Sequence, residues 1–145
     1  MENYSVLMSV YYKEQAENLR EAIDSILNQT VKTNEFIIVK DGPLTEKLDN
    51  TIKEYVEEYP GVFKIVTLKK NMGLAKALNK GIEQCSNEII ARMDSDDISM
   101  PDRMERQLEA MEANRADILS GTIVEFDESV DKPTAKRELP EKNEQ

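Results

Sequence analysis

Asp94, Asp96 and Asp97 put three carboxylates within four residues, directly after the apolar run Ile89–Met93 and just ahead of Ser99-Met100-Pro101-Asp102-Arg103. Like charges this close repel one another, and they are tolerated when they stay solvated or share a cation. Carboxylate oxygens are hard donors that suit Mg2+ or Mn2+, cations that keep coordination positions open for phosphate oxygens. Asp94 and Asp96 are therefore candidate metal ligands. Blander uses exist for the same residues: Ser99 and Asp102 have the S-x-x-D spacing of a helix cap, and Asp97 suits a cap or a turn. An EF-hand loop is excluded. Asp94, Asp96 and Glu105 would match its first, third and twelfth positions, but Ser99 stands where the turn needs glycine and Pro101 lies inside the loop.

With 145 residues and 16.6 kDa the chain is one domain's worth, able to bury a real core. Its 39% hydrophobic and 33% charged residues are ordinary for a soluble domain, and no apolar run reaches the length of a membrane span. The opening MENYSVLMSVYYKEQ has no basic n-region and no small-residue cleavage site, so the expected location is cytoplasmic, with any attachment to the inner face of a membrane left to segments outside this chain. Cys85 is the single cysteine and histidine is absent, which excludes internal disulfides, Cys/His zinc sites and histidine-based triads. Cys85, at the end of a helical pattern, reads as a small hydrophobe. A net charge of −10 argues against nucleic acid as a partner. For an anionic ligand such as a nucleotide diphosphate, that charge makes a bridging cation close to obligatory.

The elements that must position these residues alternate. Val6–Tyr12 reads as a strand, followed by a helix with Ala16, Leu19, Ile23, Ile26 and Leu27 on one face. Phe36–Val39 is a continuous apolar run of the central parallel type, stopped by Asp41-Gly42-Pro43. A helix over Thr45–Tyr59, a strand over Phe63–Leu68, and a helix burying Leu74, Ala77, Leu78, Ile82 and Cys85 come next. Glu88–Met93 is the fourth strand, Pro101–Ala113 a helix facing inward through Met104, Leu108 and Met111, and Ile118–Phe126 a fifth strand. This alternation predicts an α/β, Rossmann-like fold: a mostly parallel twisted sheet with helices on both faces. Residues 1–126 form that domain, and residues 127–145 read as a polar, loose tail.

Ligands of open α/β sheets bind beyond the carboxyl ends of the strands. Three strand exits carry unusual residues: Val10-Tyr11-Tyr12, Asp41, and the Asp94–Asp97 cluster. Asp41, which as a carboxylate only accepts, suits a base edge that donates, such as uracil; its alternative is an Asx-turn with Gly42. Lys76 and Asn79 share a helix face from which they could reach phosphate or ribose, or could simply be solvated.

The segments VLMSVYYKEQ, FIIVKDGP, NMGLAKALNKG and ARMDSDDISMPDR, in this order over about residues 4 to 126, resemble the nucleotide-binding half of a family-2 glycosyltransferase of the GT-A fold. The resemblance implies a nucleotide-sugar donor, most often UDP-linked, and an inverting transfer to a saccharide or lipid-linked saccharide acceptor in capsule, exopolysaccharide or lipopolysaccharide assembly. It implies that Val10, Tyr12 and Asp41 lie at the base, Asp94 at the ribose or sugar, Asp96 on the metal, and Lys76 and Asn79 in the helix that contacts the nucleotide. After Asp127 the polar sequence is expected to depart from the family. The general base and the acceptor-binding segments of the family follow the fifth strand, so no catalytic base is expected within this chain, and turnover by it alone is expected to be poor. A nucleotide-binding module without catalysis is the alternative. A receiver-like phosphorylation domain is a more distant one, because its aspartate pair should follow the first strand, where Tyr11-Tyr12-Lys13 stand.

Overall fold

The computed structural model describes residues 3–114, 122–126 and 133–138. They divide into two compact units, one of residues 3–28 and 32–99, the other of residues 29–31, 100–114, 122–126 and 133–138.

The larger unit is a four-stranded parallel sheet. Strands β1 (Tyr4–Val10), β2 (Glu35–Lys40), β3 (Phe63–Thr67) and β4 (Ile89–Arg92) lie in the order β3-β2-β1-β4. This is the Rossmann order as far as it runs, and it differs from the 2-1-3-4-5 order of receiver-like sheets. The central strands are covered on both faces, as their continuous apolar sequences predict. Leu7, Ile37 and Val39 pack with Ala77 and Leu78 of helix α3 (Leu74–Ile82). Alternate residues Val6, Met8, Phe36 and Ile38 project to the opposite face and are equally buried. There Phe36 stacks on Phe63, and Phe63 meets Tyr55 of helix α2 (Glu46–Glu58) at 5.9 Å between ring centroids. Helix α1 (Ala16–Leu27) packs beside α2 and buries Leu19, Ala22, Ile23 and Ile26 at helical spacing. Each of the leucine and isoleucine side chains removed from water is worth about 1.5–3 kcal/mol.

Two glycines set close approaches. An added Cβ on Gly81 would stand 2.3 Å from Leu7 Cδ1 and 2.7 Å from Val39 Cγ2, so α3 lies directly on the sheet because position 81 has no side chain. Gly42, at φ +88°, turns the chain after β2 with its Cα against the backbone of Lys70 and Asn71.

At the amino ends of the strands the buried carboxylate of Glu35 ties four segments together. It accepts hydrogen bonds from Ser5 Oγ (2.6 Å), the Ser86 amide (2.7 Å) and Ser86 Oγ (2.8 Å), and pairs with Lys64 at 2.7 Å. Burial alone would raise its pKa; the Lys64, Ser5 and Ser86 bonds outweigh that and lower it to about 2.

In the smaller unit, helix α4 (Arg103–Asn114) buries Met104 and Leu108, with Met111 half-buried. The buried Gln29 amide holds its start, donating to the Met100 carbonyl (2.7 Å) and accepting from the Met104 amide (2.9 Å). Strands β5 (Thr122–Phe126) and β6 (Pro133–Glu138) pair antiparallel as a separate two-stranded sheet.

Several expectations differ from the structure. Within the polar stretch 127–145, residues 133–138 form β6, and 127–132 and 139–145 lie outside the described residues. The fifth strand joins β6 and not the parallel sheet; residues 118–121 of its expected span lie outside the described residues. α3 ends at Ile82, and Leu74 and Ile82 at its two ends are 49% and 47% exposed, so its buried stripe is narrower than its apolar pattern. α4 begins at Arg103, so Ser99 does not cap it; Ser99 is buried, with its amide donating to Ser25 Oγ.

Candidate functional site

Because β2 and β3 follow β1 to one side and β4 lies on the other side of β1, the sheet reverses direction between β1 and β4. Such a switch point opens a crevice at the carboxyl edge. The register shows what meets there. Val10 pairs with Lys40, the Asp41 amide donates to the Val10 carbonyl (2.8 Å), and Met93 continues the β1–β4 ladder by donating to Leu7 (3.0 Å). The exits of β1, β2 and β4 therefore lie side by side on one edge, as the sequence predicts for Val10, Tyr12, Asp41 and Asp94.

The β4 exit is a tight turn. The Asp97 amide donates to the Asp94 carbonyl at 3.2 Å, which folds Ser95 and Asp96 into the middle positions. As a result one carboxylate oxygen each of Asp94, Asp96 and Asp97 lie within 4.8 Å of one another, all three residues exposed. Asp97 thus joins the two aspartates singled out as ligands. The Asp96 carboxyl is raised above the ordinary carboxylate range, first by partial desolvation and then by the charges of Glu14 and Asp94. A divalent cation would relieve the repulsion in such a crowded set of hard oxygen donors, so the residues fit Mg2+ or Mn2+. Arg92 reaches Asp94 only at 3.8 Å, between two exposed side chains, and contributes little.

At the β2 exit Asp41 is buried, and its Oδ1 accepts from the Met72 amide at 2.7 Å. The Gly42 amide turns back to the Lys40 carbonyl (2.9 Å), so Asp41 holds the segment after β3 and does not form the Asx-turn weighed for it. Among the described residues no hydrogen bond is made to Asp41 Oδ2. Val10 is fully buried, whereas Tyr11 and Tyr12 are exposed, 5.8 Å apart edge to face, with the Lys13 ammonium over the Tyr12 ring.

Lys76 and Asn79 stand on the exposed side of α3, and among the described residues neither makes a polar contact with the strand exits. The fold brings the strand-exit residues together and leaves these two on a neighbouring helix. Cys85 is half-buried against Gly81, and burial raises its thiol pKa, which leaves it a packing residue.

Sequence reading missed Glu14 and Ser95. Ser95 is buried between exposed aspartates and donates to Glu14 Oε2 at 2.5 Å. The two are 81 positions apart, and no local pattern marks either.

The family model described as "Glycosyl transferase family 2" matches residues 5–144. The amylovoran biosynthesis glycosyltransferase AmsE of Erwinia amylovora is 44% identical over 126 residues, covering 86% of this chain and 47% of the relative. A UDP-Gal:α-D-GlcNAc-diphosphoundecaprenol β-1,3-galactosyltransferase of Escherichia coli is 38% identical over 141 residues, covering 97% of this chain and 50% of the relative. The chain spans about half the length of these curated relatives. Among solved structures, the mannosyltransferase PcManGT of Pyrobaculum calidifontis, in complex with GDP-Man and Mn2+, superposes with a TM-score of 0.67 over 83% of this chain and 34% of its own; at 22% identity this likeness shows the GT-A fold.

Proposed function

This chain belongs to glycosyl transferase family 2, and we propose that it forms the donor-binding part of an enzyme that transfers a sugar from a nucleotide diphosphate, with a divalent cation, to a saccharide or lipid-linked saccharide acceptor. The observation that carries the reading is the convergence of Asp94, Asp96 and Asp97 within 4.8 Å at the sheet's switch point, beside the exits that hold Val10, Tyr12 and Asp41.

In this reading Asp94 and Asp96, joined by Asp97, hold Mg2+ or Mn2+ against the diphosphate. When bound, the cation supplies Lewis-acid stabilisation of the charge that grows on the leaving group. Asp41 Oδ2 accepts from a donor edge of the base, which favours uracil, while Tyr12 flanks the base and the buried Val10 sets the β1 exit behind it. Lys76 and Asn79 reach toward phosphate or ribose from α3. The Escherichia coli relative, named for a UDP-sugar donor and a diphosphoundecaprenol-linked acceptor, supports UDP and a lipid-linked acceptor; AmsE supports a place in exopolysaccharide assembly. The Mn2+ in the PcManGT complex supports the cation. Inversion follows if the acceptor hydroxyl attacks opposite the leaving diphosphate, and the base that takes its proton is assigned to none of these residues.

Calorimetric titration of UDP and of GDP, with Mn2+ and again with EDTA, tests the reading. Binding of UDP that is lost in EDTA is expected, with GDP weaker. Absence of binding by either nucleotide would overturn it, and equal binding in EDTA would remove the cation from it.

A further inference from the structure

Within the Asp94–Asp97 turn, Ser95 is the residue that points inward: it is 7% exposed, between neighbours that are exposed on both sides. Its hydroxyl donates to Glu14 Oε2, and the other oxygen of Glu14 is held by the Gln15 amide (2.8 Å) and Asn18 Nδ2 (3.4 Å). Glu14 is thereby fixed at the amino end of α1, where the helix dipole favours a negative charge. It does not belong to the group of carboxylates whose oxygens converge within 4.8 Å.

A fourth acid beside three others costs electrostatic energy; Gln15 at the N-cap of α1 makes no side-chain cap hydrogen bond, and Glu14 takes the Gln15 amide with one oxygen while the other goes to Ser95. What it provides is an anchor. The turn also carries the Asp97-to-Asp94 bond at 3.2 Å and the Met93-to-Leu7 bond at 3.0 Å, both between backbone groups, whereas the Ser95 bond to Glu14 ties it through a side chain to the segment after β1.

We propose that Glu14 is a positioning residue that acts through Ser95, holding the exit of β4 to the exit of β1 so that the three aspartates stay in register for a divalent cation. The proposal rests on the cation reading given above. It differs from an additional-ligand role, in which Glu14 would touch the cation directly and Ser95 would not matter. Ser95→Ala separates the two, since it removes the anchor and changes no charge.

The test uses the full chain with Mn2+ alone, followed by the electron paramagnetic resonance signal of free Mn2+, together with amide hydrogen exchange. Ser95→Ala and Glu14→Ala should each weaken Mn2+ binding about tenfold, the lower end of what losing a partner behind a metal ligand costs. The double variant should lose no more than either single one, because both remove the same contact. Exchange at the amides of Asp96 and Asp97 should quicken in both variants while Leu7 and Ile37 in the central strands stay protected, which shows local loosening and not unfolding.

Unchanged Mn2+ affinity and exchange in Ser95→Ala would overturn the proposal, as would fully additive losses. If the unaltered chain takes up no Mn2+, the cation reading fails and the purpose assigned to Glu14 fails with it. Uptake that is indifferent to Ser95 defeats the positioning role alone.

Discussion

At the scale of single residues, Asp96 at the β4 exit carries a charge that its surroundings oppose. Asp96 is exposed and its carboxyl is pushed upward by desolvation and by neighbouring negative charges. Asp96→Ala should therefore leave the melting temperature unchanged or slightly higher and weaken Mn2+-dependent UDP affinity at least about tenfold, or about 1.4 kcal/mol. Isothermal titration reads the affinity, and equal values for the two proteins would remove Asp96 from the site. Asp41 behaves differently because it is buried and its Oδ1 satisfies the Met72 amide. Asp41→Ala leaves that amide without its acceptor, so it should cost about 1–3 kcal/mol of stability as well as nucleotide affinity. Denaturant unfolding beside titration separates the two losses, and an unchanged unfolding midpoint would show that the Met72 contact is not stabilising.

At the scale of elements, two positions depend on the absence of a side chain. The Cβ of Gly81→Ala would meet Leu7 and Val39, side chains of the central sheet, and overpacking of this kind costs about 1–3 kcal/mol. The Cβ of Gly42→Ala would stand 2.6 Å from the Asn71 amide nitrogen, a backbone atom, with φ already at +88°. Gly61, also at positive φ (+82°), faces open space, so Gly61→Ala carries backbone strain without a clash. Gly42→Ala is expected to lower the melting temperature more than Gly61→Ala and, by moving the Lys70–Met72 segment off Asp41, to weaken UDP binding, which Gly61→Ala should leave alone. Equal effects of the two substitutions on binding would show that the Asp41–Met72 contact does not shape the site.

At the scale of the whole molecule, acid stability is tied to the Glu35 cluster at the edge of the sheet remote from the proposed site. Its carboxyl is ordinary in the unfolded chain, near 4.5, and lowered to about 2 in the folded one. A depressed carboxylate contributes stability that is fully present above 4.5 and is lost as pH falls toward about 2. A shift of this size is worth up to about 3 kcal/mol. Glu35→Gln should unfold more easily than the parent at neutral pH, and the gap should close between pH 4.5 and 2. Urea unfolding across that range checks it, and a constant gap would mean that Glu35 stabilises by packing and not by charge.

The sequence by itself determined the family, the alternation of elements and the strand exits that carry Val10, Tyr12, Asp41 and Asp94, because apolar periodicity, turn residues and motif spacing are local properties that survive without tertiary information. It misjudged Leu74 and Ile82, since a helical pattern marks which residues share a face and not how far the neighbouring sheet extends to cover them. Only the tertiary structure decided the order β3-β2-β1-β4, which sets the exits of β1 and β4 side by side, and the pairing of β5 with β6. It alone drew Met72 to Asp41 and Ser95 to Glu14, residues separated by 31 and 81 positions. Contacts at such separations follow from how strands are ordered, and no window along the chain contains both partners.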